Sequence, residues 1–281
     1  MPELPEVETV RRTLERLVRG KTIAEVEVLL PRIIRRPAEP EAFIRALVGQ
    51  SIQRIERRGK FLQFILDDMI LISHLRMEGR YGLFTPIDHV EKHTHVIFRF
   101  TDQTELRYKD VRQFGTMDLW RFDEVEQSSP LAKLGVEPLS EAFTFKTFNL
   151  RLQGRTTKIK PLLLNQEIIT GLGNIYVDEV LHRARIHPEQ TADTLSRQAW
   201  RRLYEAIRDI LGKAVDAGGS SVKSYVDGQG ERGTFQAQLH VYGRQGQACV
   251  RCGAVILKMV VGGRGTHLCP RCQSVRRRKP S

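Results

Sequence analysis

Met1-Pro2-Glu3-Leu4-Pro5-Glu6-Val7-Glu8 is the stretch on which the architecture turns. Pro5 suits the first helical position, and Glu6 and Glu8 fall in the first turn, where the positive helix end favours carboxylates. Val7, Val10, Leu14 and Leu17 then recur at steps of three and four, while Arg11, Arg12, Glu15 and Arg16 face away. The spacing predicts an amphipathic helix that stops at Gly20. Ahead of it lie Pro2 and Glu3. A small residue in second position generally allows the initiator methionine to be trimmed, which would leave Pro2 with a free secondary amine. An α-amino group titrates at about 7.7–8.0, against about 10.4 for a lysine side chain. It is therefore partly deprotonated near neutrality and available as a nucleophile, with the Glu3 carboxyl one residue away. The plain alternative is a solvated acidic N-terminus that only starts a helix.

Working outward, residues 22 to about 122 read as strands: Thr22–Leu30, Ser51–Arg57, Phe61–Leu66, Met69–Ile72, His95–Phe100 and Glu105–Tyr108. Asp67-Asp68 and Thr101-Asp102-Gln103 look like hairpin turns, and Phe43–Leu47 like a short helix. Short strands punctuated by turns indicate a β-sandwich or barrel. Three stretches join cations to glycine: Arg57-Arg58-Gly59-Lys60, His74-Leu75-Arg76-Met77-Glu78-Gly79-Arg80 and Asp110-Val111-Arg112-Gln113-Phe114-Gly115. Each alone fits a solvated loop. Together, on a basic chain, they suggest phosphate contacts with apolar wedges that enter a base stack.

Phe122 to Leu139 is polar and reads as a linker, after which the pattern turns helical over Ser140–Arg151, Lys160–Ile169 and Gln198–Ala217. Gly171-Leu172-Gly173-Asn174 feeds a further helix with Asn174 as its cap, a geometry that suits an anion or a plain helix connection. Gly218–Gly233 is rich in glycine, and is either a mobile functional lid or a slack loop. Thr234–Tyr242 alternates and starts a final module.

That module holds all four cysteines. Cys249-x2-Cys252, sixteen residues, then Cys269-x2-Cys272 has zinc-ribbon spacing. Four thiolates close a tetrahedral site with no vacancy for water, so one structural Zn2+ per chain is expected, with redox pairs as the alternative. Between the knuckles, Val260-Val261-Gly262-Gly263-Arg264-Gly265-Thr266-His267 forms a hairpin that presents Arg264, either merely exposed or able to clamp a phosphate.

The chain has 281 residues and a formal net charge of +12, which predicts more than one domain and a polyanionic partner. Ribosomes or acidic membranes would also attract such a charge. No 18-residue apolar run and no signal peptide are apparent, so the cytosol is the expected location.

Met1–Glu8, the Gly-x-Gly-Asn-Ile-Tyr-x-Asp-Glu run and the four-cysteine ribbon with its Gly-Arg-Gly tip occur in one order. This combination resembles the bacterial formamidopyrimidine-DNA glycosylases over nearly the whole chain. The resemblance implies an α+β multidomain fold: an N-terminal β-sandwich catalytic domain over 1–125, a linker over 126–139 and a helix–two-turn–helix domain with a lesion loop over 140–233. A zinc finger over 234–275 and a basic tail over 276–281 complete it. It implies excision of 8-oxoguanine and ring-opened purines from duplex DNA, with cytosine opposite the lesion, by a nucleoid-associated monomer in the bacterial cytoplasm.

Carried over by position, the resemblance assigns Pro2 as Schiff-base nucleophile and Glu3 as general acid/base, with Glu6 supporting them. Lys60 and Arg264 join the catalytic set as phosphate contacts. His74, Asn174 and Tyr242 bind DNA beside them. Met77, Arg112 and Phe114 fill the gap left by the extruded base. Glu78 and, in the glycine-rich loop, Ser220, Ser221, Lys223 and Tyr225 meet the flipped base. Asn165 stands where the family commonly has aspartate. Two rival readings share these features: endonuclease VIII, which acts on oxidised pyrimidines, and a zinc-ribbon DNA-binding protein without chemistry.

Overall fold

The computed structural model describes residues 1–220 and 233–275. Ser221, Lys223, Tyr225 and the basic tail lie outside the described residues. The chain divides into two compact units, Met1–Ala132 with Gly218–Thr234, and Lys133–Ala217 with Phe235–Ser281.

The first unit opens with α1 (Leu4–Val18), whose Leu4, Val7, Val10, Leu14 and Val18 form one buried stripe. Two sheets follow. The four-stranded sheet has the order β1-β7-β8-β6, built from Ile23–Val28, Thr94–Phe100, Glu105–Lys109 and Arg80–Phe84. The five-stranded sheet has the order β2-β9-β5-β4-β3, from Ile34–Arg36, Thr116–Arg121, Met69–His74, Phe61–Ile65 and Arg54–Arg58. All pairings are antiparallel except β2 with β9. Val26, Val96, Phe98 and Leu106 of the first sheet share a buried apolar cluster with Ile55, Leu62, Phe64, Leu71 and Leu119 of the second, and with Val7, Val10 and Leu14 of α1. The expected sandwich is therefore present, with its leading helix packed into the same core. A short helix, α2 (Pro40–Leu47), buries Phe43 and Leu47.

Part of the expected linker is ordered: α3 (Phe122–Ser128) begins with Asp123 and Glu124 in its first turn, where the helix dipole favours them. Further on, Val136 forms a parallel bridge with Ile169.

The second unit carries α4 (Phe145–Leu152), α5 (Ile159–Leu164), α6 (Asn174–Ala184) and α7 (Arg197–Asp216). Expected from Ser140, α4 starts later because Thr144 caps it, its hydroxyl accepting the Thr147 N–H at 3.2 Å. The helix expected to reach Ile169 ends at Leu164, where the Asn165 side chain accepts the Glu167 N–H at 2.9 Å and turns the chain. Thr234–Tyr242 contains a 3-10 turn at Phe235–Gln238 in place of a continuous alternating segment. The hairpin of β10 (Leu257–Val261) and β11 (Arg264–Leu268) closes the unit. Among the described residues, no helix is long and apolar enough to cross a membrane.

Candidate active site and DNA-contact residues

Residues 2 to 7 are all buried, whereas Met1 is 49 % exposed. Removing Met1 would therefore leave the buried run in place. Glu6 organises the start of α1. Its Oε2 accepts the Glu3 N–H at 2.9 Å, and its Oε1 accepts the Ser220 N–H at 2.7 Å and hydroxyl at 3.0 Å. The preceding Gly219 has φ of +81° and no room for a side chain, because a Cβ would lie 2.8 Å from Glu6 Oε1. One buried carboxylate thus ties the helix start to the head of the glycine-rich segment. Ser220, expected at the flipped base, is itself buried and bonded to Glu6.

Glu8 faces the next basic stretch. Burial pushes its carboxyl up, but the Arg11 and Arg57 guanidiniums outweigh this and hold it below the usual range. Arg57 Nε donates to Glu8 at 3.0 Å and its Nη1 donates to the Gly59 carbonyl at 2.9 Å. The β3–β4 turn is thereby fixed immediately before Lys60, which is buried.

The other two stretches meet at one tyrosine. A Cβ on Gly79 would lie 2.3 Å from the Tyr108 hydroxyl, and one on Gly115 would lie 1.7 Å from it. Tyr108 is fully buried and cannot retreat, so both loops need glycine for this close approach. Met77 and Phe114, named above as wedges, are 39 % and 52 % exposed on these loops. The Arg112 guanidinium sits 5.1 Å from the Phe114 ring centroid. Glu78 is partly buried beside Met77.

Asp110 holds the second loop. Its Oδ1 accepts the Arg112 N–H at 3.0 Å and its Oδ2 accepts those of Phe114 and Gly115 at 2.9 and 2.8 Å. Asp110 was not among the expected site residues, although an aspartate opening a glycine-ended loop is a local signal for such capture. An amide cannot accept with both atoms, so Asp110→Asn is expected to cost about 1–3 kcal/mol. A lowered melting temperature with reduced processing of lesion duplexes would bear this out; unchanged values of both would contradict it.

His74, placed among the DNA contacts, is buried. Its Nδ1 accepts the Arg76 N–H at 2.9 Å, and its ring lies edge-on to Phe61. Burial first, then Arg76, Lys60 and Arg35, push its pKa down to about 3. The folded value lies below that of an unfolded histidine, about 6.5. The neutral ring's contribution is thus complete above pH 6.5 and is lost progressively as pH falls towards 3, because only the unfolded chain takes up the proton. His74→Gln should therefore flatten the fall in melting temperature between pH 7.5 and 5; parallel profiles for the two proteins would contradict this.

In the second unit, α6 is anchored to the finger. Gly173 occupies the cap position and Asn174 is the first helical residue, which corrects the expectation that Asn174 caps the helix. Asn174 Nδ2 instead donates to the Gly265 carbonyl at 2.8 Å, next to the exposed Arg264. The turn is made by Gly262 and Gly263, with φ of +57° and +74°, so Arg264 is the first residue of the returning strand. Asp178 accepts the His267 N–H at 2.8 Å and pairs with the fully buried Lys160 at 2.7 Å. Lys160 also donates to the Gly265 carbonyl and to Thr266. Glu179 accepts the N–H groups of His240, Val241 and Tyr242 within 2.9 Å, which fixes the backbone of Tyr242. Burial raises the Glu179 carboxyl, and these three donors pull against it. Lys160, Asp178 and Glu179 were missed as supports; a charge inside an apolar helical run was the available signal.

Cys249, Cys252, Cys269 and Cys272 come together with all four sulfurs within 4.8 Å of one another. Cys249 and Cys272 are 4.0 Å apart, and Cys252 and Cys269 3.4 Å. These spacings straddle the edge of about 3.8 Å that a tetrahedral ion with metal–sulfur bonds of about 2.3 Å would impose. The donor set fits a structural metal.

Comparison with known proteins finds three matched segments. Residues 1–117 match the formamidopyrimidine-DNA glycosylase N-terminal domain, 134–226 the H2TH domain of the same enzymes, and 246–275 the zinc finger found in FPG and IleRS. The fold and the three matched segments thus define a DNA glycosylase. A formamidopyrimidine-DNA glycosylase of Brevibacillus brevis is 62% identical over 97% of this chain and 99% of its own length. One from Bacillus subtilis is 54% identical over 98% and 99%. A crystal structure of a Lactococcus lactis FPG mutant bound to Fapy-dG-containing DNA superposes with a TM-score of 0.92 at 47% identity, covering 97% of this chain and all of that one. The chain belongs to the formamidopyrimidine-DNA glycosylase family, whose members excise oxidised purines and share AP-lyase activity.

Proposed function

We propose that this chain excises 8-oxoguanine and formamidopyrimidines paired with cytosine, through a Schiff base on Pro2. The observation that carries the reading is the buried Pro2-Glu3 start of α1, held by Glu6. A target base is inaccessible within the stack and must be turned out, which costs less for a damaged base. The Pro2 nitrogen attacks C1′ and the base departs with its bonding pair. The sugar ring opens to an iminium ion, with Glu3 moving protons to and from the ring oxygen. That cation acidifies the C2′ protons, so β- and then δ-elimination break the strand on both sides.

Lys60, Asn174, Tyr242 and Arg264 hold phosphates and His74 belongs to the DNA contacts, which makes binding strongly salt-dependent. Met77, Arg112 and Phe114 fill the vacated stack, with Arg112 facing the orphaned cytosine. Glu78, Ser220, Ser221, Lys223 and Tyr225 belong to the lesion side, Ser220 as the anchor of its loop. The four cysteines hold one Zn2+ whose task is structural, and the protein works as a cytoplasmic monomer. Duplexes holding 8-oxoguanine opposite cytosine or thymine glycol opposite adenine test the substrate class. Excision of the purine should be faster by about tenfold or more, since a site built to hydrogen-bond one base rejects another strongly. Faster removal of thymine glycol would move the chain to the pyrimidine-directed branch.

A further inference from the structure

One buried titratable side chain has no part in that scheme. His182 on α6 is fully buried, and its Nε2 lies 3.5 Å from Cys249 Sγ. Its Nδ1 is also buried and has no hydrogen-bond partner among the described residues. We propose that His182 is an outer-sphere partner of the metal centre, donating its Nε2–H to the Cys249 thiolate.

A neutral imidazole carries one N–H. On Nδ1 that proton would be a buried donor without an acceptor, while the Nε2 lone pair would face the sulfur lone pairs. On Nε2 it meets an anionic acceptor, and only a lone pair is left unfilled, the smaller penalty. Four thiolates around a divalent ion carry excess negative charge, and a buried donor aimed at one of them offsets part of it.

The position on the helix gives this bond a second consequence. Asn174, Asp178 and His182 are spaced by four, so they lie along one face of α6. Each bonds the finger at a different point: the Gly265 carbonyl, the His267 N–H and the Cys249 sulfur. His182 is the rung that ties the metal itself to the helix bearing Asn174. Its backbone carbonyl accepts from Arg251, between the first two cysteines, at 3.1 Å.

The inference rests on the four-cysteine metal site proposed above, and two measurements on the full chain separate them. Elemental analysis of the purified protein should find one zinc per chain; a metal-free folded protein would overturn both. In the metal-loaded, 15N-labelled protein, long-range 1H–15N spectra should place the His182 proton on Nε2. Bound metal with the proton on Nδ1 would overturn the present proposal alone. Zinc transfer to the chelator 4-(2-pyridylazo)resorcinol should be faster in His182→Phe by about 10-fold or more, the usual cost of losing an outer-sphere partner. Equal transfer rates would also overturn it. Should the phenylalanine variant not fold, the wild-type spectrum still decides.

Discussion

Replacing Pro2 with glycine should slow base excision and strand cutting by about 100-fold or more, equivalent to about 2.7 kcal/mol of barrier, while leaving affinity for an uncleavable abasic-site duplex within a few-fold. Glycine in second position still permits methionine removal, so the variant keeps a free α-amine. It loses two properties. A secondary amine passes directly to a cationic iminium, whereas a primary amine forms an imine that needs protonation before it acidifies C2′. The pyrrolidine ring also prevents free rotation about the N–Cα bond, which restricts the direction of the nitrogen lone pair at the entry to α1. The buried run from Glu3 to Val7 is untouched by the change, so binding groups elsewhere keep their places. Single-turnover rates with equilibrium binding separate the two effects, and wild-type rates in the variant would contradict the assigned nucleophile.

Cys249→Ala carries the next largest expectation: loss of the bound metal, an unfolded finger and DNA binding weaker by about 100-fold or more. The finger's own buried apolar cluster is Val241 and Ile256 beside Cys249 and Cys269. So small a core does not hold a module without its ion, and metal-ligand energy is folding energy in such modules. Unfolding would release the hairpin from Lys160, Asn174 and Asp178 and with it the position of Arg264. Fluorescence anisotropy on a lesion duplex, read with metal content, tests this; undiminished binding without metal would contradict it.

The helix of Leu4–Val18 was legible because one apolar stripe repeats at its period and a proline marks its start. The four-cysteine cluster was legible because ligand spacing is a local property. Strand β9 was not singled out, although Thr116-Met117-Asp118-Leu119 alternates polar with apolar: the run is short, and its polar positions are buried rather than facing solvent. The supports were hidden for a different reason. Tyr108 buttresses two loops distant in sequence, and two of the Lys160 partners lie more than 100 residues away. No periodicity reports such partners. Asn174 was misread as a cap because Gly173, which lacks a side chain to advertise the role, takes that place. Membership of the family was legible from the joint order of motifs, none of which was specific alone.

The decisive measurement is the intact mass of the native protein after reaction with an 8-oxoguanine duplex in the presence of borohydride, followed by peptide mapping. The expected product is a chain lacking Met1 with the reduced sugar attached to residue 2. A chain that retains Met1 and still cuts the duplex at full speed, or an adduct carried on a lysine, would contradict the account.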